Sequence, residues 1–164
     1  MPTKHDFHKV IIGRSELLSF IGTDALSVPA KTDTGAYRSA VHATEIAVNG
    51  ETLTFRLLGE HPVCGAMSTV MTTNDFTVVT VANSFGHEEQ RYEVKLKVKL
   101  GPKVFHARFT LADRSKKIYP ILLGRKLLNH RFLVDSSETS LDRITLKSQY
   151  NIEFPADEEE GRTE

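Results

Sequence analysis

Val28-Pro-Ala-Lys-Thr-Asp33-Thr-Gly-Ala36 reads as a strand that delivers one carboxylate into a tight, glycine-permitted turn. A lone carboxylate there is ionised at neutral pH. Two carboxylates held about 3 Å apart cannot both ionise and come to share a proton, which yields an acid and a base from one residue type. Asp-Thr-Gly occurs once in the 164 residues, so the pairing requires a second copy of the chain. A strand end followed by Asp and Gly is also a common turn. A second stretch, Tyr119-Pro-Ile-Leu-Leu-Gly-Arg-Lys-Leu-Leu128, places bulky aliphatics before a glycine and a short helix.

Between and around these stretches, alternation dominates over helical periodicity. Tyr92, Val94, Leu96, Val98 and Leu100 share one face of a strand, and Glu93, Lys95, Lys97 and Lys99 share the other. Gly101-Pro102 turns the chain into a partner with Phe105, Ala107, Phe109 and Leu111 inward and His106, Arg108 and Thr110 outward. Asn49-Gly50 marks a second hairpin, between Ala40–Val48 and Thr52–Leu58. A third joins Thr77–Val81 to Tyr92–Val98 through the polar connection Asn83–Gln90. The expected helix is short, Arg125–Asn129. Short strands separated by turns indicate an all-β closed barrel with one short helix in the C-terminal half.

Length and the 40% hydrophobic content suit one domain, residues 1–155. Residues 156–164 follow Pro155 and read as an acidic, disordered tail. Lys plus Arg (21) balances Asp plus Glu (21), which gives no electrostatic reason to expect nucleic acid or an anionic membrane. Cys64 is alone, Met1-Pro-Thr-Lys-His-Asp6 is no signal peptide, and no stretch approaches a membrane span. The expected location is the cytoplasm and the expected partner a peptide, a protein or a small molecule.

Asp33-Thr-Gly-Ala36 followed by Ile121-Leu-Leu-Gly-Arg125 resembles the retropepsin-like aspartic peptidases, in which the Leu-Leu-Gly strand crosses beneath the catalytic loop. Further matches in order are Ile12-Gly-Arg14, Ser39-Ala-Val-His-Ala43, Gly86-His87, Leu111-Ala-Asp-Arg-Ser115 and Phe132-Leu-Val-Asp135. They resemble the bacterial and archaeal retropepsin-like family labelled ATP-dependent zinc protease. The chain departs from that pattern at Tyr37-Arg38-Ser39 and around Cys64–Met71.

The resemblance implies a homodimeric peptidase in which Asp33 is the general acid/base. Thr34 would bond across the dyad, Gly35 would offer its N–H to the carboxylate, and Ala36 would keep the neighbourhood small and apolar. Asn83–Gln90 is either a flap hinged at Gly86 or an ordinary hairpin end, and His87 contacts substrate or faces solvent. His42, on the strand leaving the Asp33 turn, is within reach of the cleft as support or contact. Arg38, Arg114 and Arg125 either favour an acidic peptide or serve the structure. The resemblance further implies an association with ATP-grasp peptide ligases. No zinc motif stands out and no cofactor is expected. The alternatives are a noncatalytic peptide-binding domain on the same fold and a zinc-dependent peptidase using Asp33 and histidines.

Overall fold

The computed structural model describes residues 8–82 and 85–150. The elements run β1 (Val10–Ile12), β2 (Ser15–Phe20), β3 (Val28–Thr32), β4 (Ser39–Asn49), β5 (Thr52–Leu57), β6 (Thr69–Thr73), β7 (Phe76–Ala82), β8 (Glu88–Leu100), β9 (Lys103–Ala112), β10 (Ile121–Leu123), α1 (Arg125–Leu128), β11 (Phe132–Val134) and α2 (Arg143–Tyr150). Residues 156–164, expected as a tail, lie outside the described residues, as do Asn83 and Ser84 of the expected flap.

Six strands close on themselves in the order β10-β3-β2-β8-β9-β4, because β10 pairs with β3 on one side and with β4 on the other. The hairpins at Gly101 and Asn49-Gly50 form as the alternation predicts. Gly50 takes φ +64, the left-handed conformation that a tight hairpin turn demands. Strands β5 and β6 extend the sheet beyond β4, and β7 pairs with β8 from Phe76↔Val94 to Ala82↔Glu88. The third hairpin is therefore longer than expected, since Glu88, Glu89 and Gln90 belong to the ladder.

Inside the closed sheet the even-numbered side chains of β8 meet the odd-numbered ones of β9. Val94, Val98, Leu100 and Phe109 are buried, and Phe20 packs edge-on to Phe109 at 5.5 Å between ring centroids. Two outward assignments are corrected. Glu93 is 3% exposed and Thr110 is 1% exposed. They face each other across β8 and β9, and the neighbouring elements cover them: Arg38 and Lys126 approach Glu93, and the Thr110 hydroxyl donates to Ser39 O.

The expectation of one helix is also corrected. Besides α1, which matches the expected position, α2 follows Asp142, whose carboxylate accepts the Thr145 N–H at 2.7 Å as an N-cap. Its single buried residue, Leu146, joins Val63, Ile118 and Tyr119 in a small second core. Ile144 and Leu146 are two residues apart and only Leu146 is buried, which leaves no helical apolar stripe to read.

Candidate active site

Strand β3 ends at Thr32, tied on both sides: its N–H donates to Arg14 O and its hydroxyl to Gly13 O. Asp33 comes next and its N–H donates to Leu123 O, the last residue of β10, at 2.9 Å. Gly35 N–H donates to the Asp33 carboxylate at 2.9 Å, as the family resemblance implied. Asp33 is half-buried, while Thr34 and Gly35 are exposed, so the turn presents the carboxylate at the surface.

The Leu-Leu-Gly stretch supports this turn from below. Arg125 and Lys126 amides donate to Ala36 O and Tyr37 O, and the Gly124 amide donates to the buried Ser39 hydroxyl. A Cβ on Gly124 would lie 2.5 Å from Arg38 O and 2.9 Å from Tyr37 O. The glycine is required by close approach of two backbones. Arg125 spends a guanidinium N–H on Thr34 O at 3.0 Å, which makes it a brace of the turn.

A cleft of about 610 Å³ opens over Asp33. The turn contributes Asp33, Gly35, Ala36, Tyr37 and Arg38. The β7–β8 hairpin contributes Thr80, Val81, Ala82 and Arg91, and the far wall carries Arg114 and Lys117. The base of this hairpin thus stands beside Asp33. Gly86 (φ +79) and His87 are exposed beyond it and do not line the cleft. Among the described residues lining the cleft, Asp33 is the one acid, against Arg38, Arg91, Arg114 and Lys117. Arg38 bonds Glu93 at 2.6 Å, and Lys126 approaches the other Glu93 oxygen at 3.8 Å. That buried carboxylate is therefore satisfied from two sides.

His42 is not a wall of the cleft. It is 1% exposed; its Nδ1 accepts the Arg114 N–H and its Nε2–H donates to Gly59 O. Of the two roles expected for His42, support or contact, its burial is at odds with substrate contact and fits support of the cleft. His61, which the sequence did not single out, grips the same turn from the other side. Its Nε2–H is shared by Arg114 O and Lys117 O at 2.9 and 3.0 Å, and its Nδ1 accepts the Val63 N–H. The two rings meet edge-on at 5.1 Å. Burial holds both below the ordinary histidine range, and His61 falls to about 4 because it is also close to His42. The two neutral rings therefore pin the turn that carries Arg114 and Lys117. Arg91 and Lys117 were missed as well; the register of β7 on β8 brings Arg91 in, and no local motif marks Lys117.

Metal donors do not assemble: no group of three His, Cys, Asp or Glu side chains among the described residues could hold an ion. His42 has both ring nitrogens engaged by backbone.

The chain is 30% identical over 138 residues to a protein of Shewanella pealeana named "Probable alpha-L-glutamate ligase", covering 80% of this chain and 30% of that one. A protein of Desulfotalea psychrophila with the same printed name is 30% identical over 153 residues, covering 87% and 32%. The chain thus spans about three tenths of the length of these curated relatives. A crystal structure of a Legionella pneumophila protein titled as of unknown function superposes with a TM-score of 0.62 at 27% identity, covering 80% of this chain and 97% of that one. Over residues 11–144 the sequence matches the RimB-like family model, described as retropepsin-like aspartic endopeptidase RimB, and the chain belongs to that family.

Proposed function

We propose that the protein is a homodimeric aspartic peptidase whose two Asp33 carboxylates activate one water against a peptide bond in an acidic polypeptide. In the pair, the ionised Asp33 takes a proton from water as the oxygen adds to the carbonyl carbon. The protonated Asp33 donates to the carbonyl oxygen, and collapse of the adduct breaks the C–N bond with the proton passing to the amine. Catalysis demands a two-fold dimer, because one chain carries one motif. The turn, with Thr34 and Gly35 exposed and the half-buried Asp33 at the surface, supports that pairing.

The observation that carries the substrate class is the cleft, in which Asp33 is the one acid among the described lining residues while Arg38, Arg91, Arg114 and Lys117 supply positive charge. Arginine forks match carboxylates two bonds at a time. The relatives named as glutamate ligases support the same direction: a ligase of that name joins glutamate, and an acidic extension is what this cleft would hold. The proposal extends to a working partnership with an ATP-grasp ligase system in the cytoplasm.

The test compares wild type with Asp33→Asn on acidic and neutral peptide libraries, with and without a chelator, at a fixed oligomeric state. Hydrolysis of acidic peptides that is lost in Asp33→Asn and indifferent to chelation is the expected result. Hydrolysis that survives the substitution sinks the dyad, and chelator-sensitive hydrolysis replaces it with a metal peptidase. A wild-type dimer that binds the peptides without cutting them at any pH makes the domain a binding module.

A further inference from the structure

The cleft's positive charge does not end at its rim. On β8 the residues Arg91, Glu93, Lys95, Lys97 and Lys99 share one face, and register puts Thr110, Arg108 and His106 on the same face of β9. Lys95 stands directly opposite Arg108 and Lys97 opposite His106. Glu93, where the cleft ends, has its charge met by Arg38 and Lys126, so it does not interrupt the run.

Lys95 and Arg108, like charges placed opposite one another across two strands, oppose folding, and an anion laid between them removes that cost. A pocket of about 190 Å³ sits there, lined by Lys95, His106, Arg108, Lys126 and Arg131 with no carboxylate among its described lining residues. Arg108 reaches Asp75 at 3.7 Å through Nη2, while its buried Nη1 has no hydrogen-bond partner. Arg131 lies over the Phe105 ring at 4.4 Å and donates to Leu127 O, which fixes its guanidinium at the pocket edge. The lysines are exposed on an open sheet face, unlike a ladder sealed by another element.

We propose that this face of β8 and β9 is an exosite that holds the distal part of an acidic polypeptide in extended conformation while a nearer bond lies over Asp33. The inference rests on the reading of the cleft as a site for acidic peptides, and it adds the length of chain that the protein reads. Same-face residues of a strand repeat at about 7 Å, and so do alternate side chains of an extended peptide. A carboxylate at every second position therefore meets Lys95, Lys97 and Lys99 in turn. Arg91 to Lys99 spans roughly 27 Å at strand rise, well beyond a short peptide seated in the cleft. The occupant is a peptide and not RNA, because the described pocket lining contains no Phe, Tyr or Trp ring on which a base could stack.

The test uses the full chain with Asp33→Asn and labelled peptides of alternating Glu and Ala, about six and about fourteen residues long, so that only the longer reaches past Glu93. Binding is read by fluorescence anisotropy, with and without Lys95→Glu and Lys97→Glu, exposed positions outside the cleft. The expected result is a loss of about tenfold or more for the long peptide and a change within about twofold for the short one, the gap narrowing with salt. Equal losses for both lengths, or equal binding of a Gln-Ala peptide, overturn the exosite. Tighter binding of single-stranded RNA than of the long peptide overturns it too. A short peptide not bound by the Asp33→Asn protein and not cut by wild type, with the long one still sensitive to charge reversal, removes the peptidase reading and leaves the exosite standing. Asp33-dependent hydrolysis with long-peptide binding indifferent to reversal removes the exosite alone.

Discussion

His61 makes the fold acid-sensitive, and the size of the effect follows first from its burial and then from the nearby His42. Its Nδ1 accepts the Val63 N–H, and its Nε2–H serves Arg114 O and Lys117 O. A proton on Nδ1 would set two donors against each other in a site that is 1% exposed. The ring is accordingly neutral until about pH 4, against an ordinary value of 6.5. Between those two values the unfolded chain binds more protons than the folded one, so stability is complete above pH 6.5 and is lost as pH falls toward 4. The gap corresponds to about 3 kcal/mol at 1.36 kcal/mol per pKa unit, a large part of the 5–15 kcal/mol typical of a whole domain. Urea unfolding of wild type and His61→Gln from about pH 7.5 to 4 isolates the contribution from the carboxylates, which titrate in both proteins. The variant loses hydrogen bonds at every pH, about 1–3 kcal/mol, yet its stability falls less steeply, and the difference between the two shifts by about 3 kcal/mol in the variant's favour at the acid end, closing or reversing the gap. His42, depressed in the same direction, remains in both proteins. A difference that stays constant with pH, or a His61 ring that titrates near 6.5 by NMR, refutes the reasoning. The consequence for function is that Arg114 and Lys117, held by these rings, keep their places near neutral pH and lose them in acid.

Two further outcomes test the packing around the site. Gly124→Ala drives a Cβ to 2.5 Å from Arg38 O; the Asp33 turn must move, lowering stability by about 1–3 kcal/mol in urea unfolding and hydrolysis by about a hundredfold. Cys64, buried and with its thiol pushed up to about 12 by that burial, stays unlabelled by a thiol reagent near pH 8 and reacts once urea opens the domain; rapid labelling of the folded protein refutes the placement.

The barrel was legible because its hairpins carry period-two alternation over long runs, as from Tyr92 to Leu100, and because Asn49-Gly50 and Gly101-Pro102 fix where the chain turns back. The turn at Asp33 and its buttress at Gly124 were legible for a different reason: each needs a residue without a Cβ, or a carboxylate within reach of one backbone amide. Glu93 and Thr110 defeated the same alternation, since a strand's outward face is outward only where nothing lies on it, and Arg38, Lys126 and Ser39 arrive there from distant parts of the chain. α2 hid because a cap at Asp142 and one buried leucine suffice to seat it.

The histidines show most plainly what local reading cannot reach. His42 stands out by its motif as support or contact near the cleft; His61 stands out by nothing. Their common task is visible only when residues 59–63 and 113–117 are brought against β4, where two imidazoles satisfy backbone groups of one turn. Imidazole suits that position because a single ring accepts on one side and donates on the other without carrying charge. A lysine or arginine there would add a buried cation beside Arg114, and a carboxylate would repel the carbonyls that it meets. The cationic wall of the cleft is thus set by a neutral pair behind it, and the sequence signature of a cationic cleft in this fold includes buried histidines as well as arginines.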